Sequence, residues 1–281
     1  MTHEIRDLGE LDHTVLVFGG AYSNLQATKA MQSTARDRGI ESGNIICTGD
    51  VVAYCAQAEE TTQLIREWGI HVVRGNCEES LGNDAEDCAC GFEQGSACAR
   101  LSVDWYEHAQ RQLHRTSRQW MRALPGAITF QFGGLLFRCI HGGVKQTNEF
   151  VFYSSSAHEK QRQLVMIGAD VIIAGHSGIP FGQRLDKGVW LNAGVIGMPA
   201  NDSSQHTWYM MIEMKDEKKV ISWHPLEYDV QAARQVMLDA GLPPDYREAL
   251  ATGLWPSLDV LPDAEKNATG QKLSLPSMEL R

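Results

Sequence analysis

The chain of 281 residues is short of positive charge: 25 lysines and arginines stand against 35 aspartates and glutamates, a formal balance of −10. That balance argues against a broad contact with a nucleic-acid backbone, which needs clustered cations. It leaves room for a small anionic substrate, because one metal ion or a few amides can hold such a molecule locally. No apolar run approaches the roughly 18 residues of a membrane-crossing helix, so no membrane contact is expected. The opening MTHEIRDLGELDHTVLVF has no basic flank followed by a long apolar stretch, and no secretory leader is expected from it. Neither G-x-G-x-x-G nor G-x-x-x-x-G-K-[ST] occurs, which removes the dinucleotide and P-loop readings. No repeat of solenoid length is visible.

What is present supports a folded enzyme-sized domain. Apolar residues make up 43% of the chain, ample for a core. The seven cysteines, an odd number with no secretory context, point to a reducing cytoplasm. Short β-rich runs recur, each stopping at glycine or a polar residue: HTVLVFGG at Gly20, NIICTGD at Asp50 and IHVVRGN at Asn76. LLFRCIHGG reaches His141, DVIIAGH reaches His176 and VWLNAG ends at Asn192. Helical spacing around 25–38 and 59–68 separates the first three runs, which suggests βαβ units. Residues 80–125 read as a helical insertion that starts as a Gly/Asp/Cys loop. WYMMIEM and KKVISWHPL read as a hairpin turning at 215–218, and 229–240 reads as a helix stopped by Gly241 and Pro243. From Pro256 to residue 281 the composition turns polar, and a loosely held tail is expected.

In open α/β sheets ligands bind beyond the carboxyl ends of strands. Asp50, Asn76, His141 and His176 each stand at such an end, and together they form an oxygen/nitrogen set suited to a divalent ion such as Mn, Fe or Zn. Taken with GD at 49–50, GN at 75–76, HGG at 141–143, GHSGIPF at 175–181 and LNAGVIGMP at 191–199, the chain resembles the calcineurin-like metallophosphoesterase superfamily, in its small bacterial single-domain branch. The resemblance implies an α/β sandwich of two mixed β-sheets flanked by helices, spanning about 13–241. It also implies a two-metal centre that clamps a phosphate. The family's second metal site takes the four residues just named. Its first site takes Asp-x-His from the first loop and the last histidine of Gly-His-x-His, and here those positions are Gly20, Tyr22 and Gly178. One metal per chain is therefore expected. The family's histidine after the asparagine, which contacts phosphate and helps protonate the leaving group, is here Cys77.

Three readings follow from those departures: a one-metal hydrolase of a phosphomonoester, phosphodiester or nucleotide substrate; a catalytically silent metal- or ligand-binding protein; or redox or C–S chemistry on the same scaffold. For the hydrolase, Tyr22 and Cys77 are the candidates for substrate contact or proton transfer. Arg74, Asn24 and Tyr54 are the candidates for substrate binding, Tyr54 because the family places a similar residue at the mouth. The acidic pair Glu78–Glu79 beside the site would repel an anion unless turned outward or used as a ligand. Cys88, Cys90 and Cys98 sit on a loop expected to overhang the site, where thiolates could serve a second metal or a redox role. C-x-C does not readily bridge to itself, though Cys88 or Cys90 could pair with Cys98 under oxidation, and in a reducing cytoplasm free thiols are expected there. Cys47 and Cys139 fall within strands and read as buried, apolar-like residues.

Overall fold

The computed structural model describes residues 4–280. Its elements follow from the alternation of the strand sequences, in which successive side chains point to opposite faces. In chain order they are β1 (Ile5–Glu10), β2 (Val15–Phe18), α1 (Leu25–Asp37), β3 (Ile45–Cys47), α2 (Ala58–Trp68) and β4 (His71–Val72). Then come α3 (Asn76–Gly82), α4 (Ala97–Gln112), α5 (Arg115–Arg122), β5 (Ala127–Phe132), β6 (Leu135–Cys139), α6 (Ala157–Ile167) and β7 (Val171–Ala174). The chain closes with β8 (Phe181–Leu185), β9 (Gly188–Asn192), β10 (Thr207–Lys215), β11 (Lys218–Leu226), α7 (Val230–Asp239), α8 (Pro244–Thr252), α9 (Asp263–Asn267) and β12 (Met278–Leu280).

The strands form two six-stranded sheets, ordered β1-β5-β6-β7-β9-β8 and β12-β11-β10-β2-β3-β4. Both are mixed: β2, β3 and β4 run parallel to one another, as do β6, β7 and β9, with antiparallel neighbours outside them. Val15, Val17, Ile46, Phe137, Cys139, Val171 and Ile173 meet in the apolar layer between the sheets. Leu16, Phe18, Ile45 and Cys47, one residue out of phase, face the helical layer with Met31, Ile65 and Trp105. Ile172 and Ala174 face Leu164 of α6 on the outer side of the other sheet. Buried on both faces, these central strands read as unbroken apolar runs. Cys47 and Cys139 are fully buried within them.

The insertion consists of α4 and α5, with α4 packed on α2 and α5 on α3. Ser96 caps α4 by accepting from the Ala99 N–H, and Trp105 and Tyr106 anchor the helix in the core. The hairpin turn falls between Lys215 and Lys218, and Asp229 caps α7, both where the sequence places them.

Two expectations are corrected. The sheets reach beyond residues 13–241, because β1 pairs with β5 at one edge and β12 with β11 at another. The expected loose tail at 256–281 is packed over its described residues, 256–280: Leu261 and Leu280 are buried, and Leu273 and Leu275 lie against the intersheet core, while residue 281 lies outside the described residues. Polar composition hid this because only a few widely spaced leucines carry the packing. Among the described residues no helix is long and apolar enough to cross a membrane.

Candidate metal centre

The four candidate ligands come from both sheets. Asp50 follows β3, Asn76 opens α3 just after β4, His141 follows β6 and His176 follows β7. Asp50 and His176 both adopt φ of +56°, in the left-handed region where non-glycine residues are uncommon, which turns their side chains back over the strand ends. Gly49, at φ +101°, lets the loop pass close to His141: a Cβ there would lie 2.8 Å from the ring Nδ1 and from the Gly75 nitrogen.

The side chains meet around one atom. His141 Nε2 lies 3.0 Å from Asn76 Oδ1, 3.1 Å from His176 Nδ1 and 3.2 Å from Asp50 Oδ2. His141 Nδ1 donates to the Thr48 carbonyl at 2.7 Å, so that nitrogen carries a proton and Nε2 points its lone pair into the cluster. The Asn76 amide is oriented likewise: its Nδ2 donates to the Cys88 carbonyl at 2.9 Å, which turns Oδ1 inward. Asp50 Oδ2, Asn76 Oδ1 and the His141 Nε2 lone pair face one another, joined by His176 Nδ1 in its Nε2-protonated tautomer, and a cation among them would satisfy all four. One proton on Nε2 could serve a single neighbour, whereas a metal ion serves all four. Among the described residues, Asp50, His141 and His176 are the His/Cys/Asp/Glu group whose donor atoms lie close enough for one ion, within 4.8 Å of one another. The donor set thus fits a divalent metal.

Local charges agree with this. Burial opposes ionisation of Asp50, but the two imidazoles hold its carboxyl well below the usual carboxylate range. Burial likewise opposes a charged His141, yet the Asp50 carboxylate lifts its pKa above the ordinary value. For His176 burial prevails and the pKa falls.

Glu78 is the residue that sequence reasoning misread. It neither turns outward nor faces a substrate: it is fully buried and accepts from the backbone N–H groups of Asp50 (2.8 Å), Val51 (2.7 Å) and Gly75 (2.8 Å). One carboxylate therefore ties the Asp50 loop to the Asn76 loop. Burial, with Asp50 nearby, raises its pKa to about 7. The only sequence signal was its place two residues after Asn76.

The first-loop position is filled rather than open. Tyr22, at φ +51°, lays its ring over Gly20, where a Cβ would collide with it. Gly178, at φ +71°, faces Trp255, whose ring would lie 3.3 Å from an added Cβ. Tyr22, Tyr54, Phe150, His176, Tyr246 and Trp255 line a cavity of about 60 Å³ beside the cluster, and no lysine or arginine lies among the described residues lining it. Burial, reinforced by the Asp50 charge, pushes the Tyr22 phenol well above its usual pKa, so it stays protonated. Gly178→Ala is expected to cost about 1–2 kcal/mol from the left-handed backbone alone, measured by urea denaturation of the metal-free protein.

The other candidates are distributed differently. Tyr54 stands at the cavity, edge-on to Tyr22 with ring centroids 4.7 Å apart. Asn24 has both ends of its amide in structural hydrogen bonds, accepting from Ala27 to cap α1 and donating to the Gly197 carbonyl, and it is not among the residues that line the cavity. Arg74 donates to the Arg122 carbonyl at the end of α5 and is not among the residues that line the cavity. The Cys77 thiol is buried in the core, where burial and the charges of Asp50 and Glu78 hold it protonated. Its backbone N–H donates to Asp50 Oδ1 at 3.2 Å. Cys88 and Cys90, expected as free thiols, are joined by a disulfide. Ala89 between them turns at φ +47°, which brings their Cα atoms to 5.2 Å, within bridging range. Cys98 stands apart at the start of α4, lining the cavity.

Fold and site together define an α/β sandwich with a buried cluster able to hold a metal ion, and comparison with known proteins agrees with the fold. Residues 13–217 match the calcineurin-like phosphoesterase superfamily domain, and the chain belongs to that superfamily. It is similar to the uncharacterized protein MJ0912 of Methanocaldococcus jannaschii, 27% identical over 255 residues that cover 85% of this chain and 98% of that protein. Its fold is that of a metallophosphoesterase from Sphaerobacter thermophilus, with a TM-score of 0.67 at 21% identity over 87% of this chain and 100% of the other. A hypothetical protein, PH1004 from Pyrococcus horikoshii, superposes with a TM-score of 0.72 at 15% identity, covering 86% of this chain and 99% of its own.

Proposed function

We propose that the protein is a phosphoesterase-type hydrolase that works with one divalent ion, Mn, Fe or Zn, held by Asp50, Asn76, His141 and His176. The convergence of Asn76 Oδ1, Asp50 Oδ2 and His176 Nδ1 on His141 Nε2 carries this reading. When bound, such an ion supplies Lewis acidity toward a phosphoryl oxygen and lowers the pKa of water toward about 7. The chain's own residues bind and orient. The protonated Tyr22 phenol donates a hydrogen bond to a substrate oxygen from the side where a second ion would otherwise stand. Cys77 acts through its backbone N–H on Asp50 rather than by proton transfer. With no cationic side chain in the cavity, charge recognition of a small anionic substrate falls to the ion itself.

The test is turnover by manganese-loaded protein of para-nitrophenyl phosphate, bis(para-nitrophenyl) phosphate and diadenosine tetraphosphate. Hydrolysis of at least one is expected, slowed by about 100-fold or more in His176→Ala while circular dichroism stays unchanged. Tyr22 lying over Gly20 and Trp255 facing Gly178, the positions of the family's first metal site, favour a second reading, a silent metal-holding protein. Full metal content with no turnover on any of the three would select it and discard the hydrolase.

A further inference from the structure

The Cys88–Cys90 disulfide touches the metal centre directly. The Cys88 carbonyl accepts from Asn76 Nδ2 at 2.9 Å, and Cys90 Sγ lies 3.4 Å from the same nitrogen. These contacts decide which end of the Asn76 amide faces the other ligands. Phe92, just past the bridge, stacks on Phe150, whose ring lies 4.2 Å from that of His176, so the same loop also walls a second ligand. On its far side the pair borders an open cleft of about 330 Å³, lined by Glu86, Asp87, Val103 and Glu107 as well as the two cysteines. The bridge therefore stands between a solvent-reachable cleft and the ligand cluster.

From this placement we infer that Cys88–Cys90 is a redox site coupled to the metal centre, oxidised for tight metal binding and reduced for weak binding. The coupling requires the metal to sit where the proposed function puts it. In the reducing step a dithiol gives up two electrons and two protons. Its thiolate attacks one sulfur of the pair, the S–S bond breaks, and its second thiol resolves the mixed disulfide. Cys88 and Cys90 leave as two thiols and the dithiol as its cyclic disulfide. Ala89 is held at φ +47°, in the left-handed region that disfavours an L-residue. Its N–H bond to Asp87 and its carbonyl's bond from Asn148 remain after reduction, but both are side-chain contacts at the exposed rim. With the covalent tie gone, the turn relaxes, the Cys88 carbonyl leaves Asn76, and the amide loses its fixed orientation. Outer partners of metal ligands are typically worth about 10–100-fold in affinity.

The experiment uses the full chain in two forms: as isolated in air, and reduced with dithiothreitol that is then removed under nitrogen. Alkylation after denaturation should modify five cysteines in the first form, Cys47, Cys55, Cys77, Cys98 and Cys139, and all seven in the second. Titration calorimetry with Mn²⁺ alone should give at least about ten-fold weaker binding in the reduced form. The double variant Cys88→Ser/Cys90→Ser should match the reduced form whatever its treatment. Seven alkylated cysteines in both forms would remove the disulfide and overturn the inference, leaving the proposed hydrolase intact. Equal or tighter Mn²⁺ binding after reduction would overturn the coupling. Binding by neither form would overturn the coupling and the proposed metal site together.

Discussion

Asp50→Ala is expected to abolish binding of divalent metal and, with it, any phosphoester turnover. Among the described residues Asp50 supplies the one carboxylate of the cluster, and its Oδ2 lies 3.2 Å from His141 Nε2 and 3.9 Å from His176 Nδ1. Without it, two neutral imidazoles and an amide face the ion, and nothing in the cluster offsets its charge in a buried setting. Loss of a partner outside the ligand shell costs about 10–100-fold in affinity, so loss of the anionic ligand itself must exceed that. Elemental analysis of protein purified with manganese should fall from one equivalent per chain to none. Retention of a full equivalent in Asp50→Ala would place the ion elsewhere.

The second large effect is expected at Glu78, away from any substrate. Glu78→Ala strands the N–H groups of Asp50, Val51 and Gly75, all now without their buried acceptor. An unsatisfied buried donor costs about 1–3 kcal/mol, so the metal-free protein should lose several kcal/mol in urea unfolding. Because the same carboxylate joins the two ligand-bearing loops, Mn²⁺ affinity should also fall, by about ten-fold or more. Glu78→Gln keeps one acceptor oxygen and should recover part of both losses. Glu79→Ala, at the partly exposed neighbour, should stay within about 0.5 kcal/mol of wild type. If Glu78→Ala matched Glu79→Ala in stability and metal affinity, the carboxylate would not be tying the loops together.

The central strands were legible because burial on both faces leaves a local mark, a short apolar run ended by glycine or a polar residue. The outer strands were not. β1, IRDLGE, is exposed at almost every position and carries no alternation, and β12 is three residues long. Such strands exist because a neighbouring strand offers unpaired backbone groups, which no local pattern encodes. The site shows the same division. The candidate ligands stood out as strand-ending polar residues, yet Asn24, equally polar in a loop, proved to be a helix cap. Glu78 read as a repelling charge because its partners, backbone amides from another loop, have no sequence signature. The disulfide was missed because it depends on a left-handed turn at an alanine.

The sequence by itself determined the central strands, the resemblance to the superfamily, and the candidate residues Asp50, Asn76, His141 and His176. All of these are marks carried by short neighbouring stretches of chain. Only the tertiary structure decided what became of the first-loop position. The Tyr22 ring folds over Gly20, and Trp255, from beyond α8, closes on Gly178. It also decided that the Cys88 carbonyl orients Asn76. These are contacts between segments far apart in the chain. Their energies come from packing and from pairing buried polar groups, which exist only once the two sheets and their loops have come together.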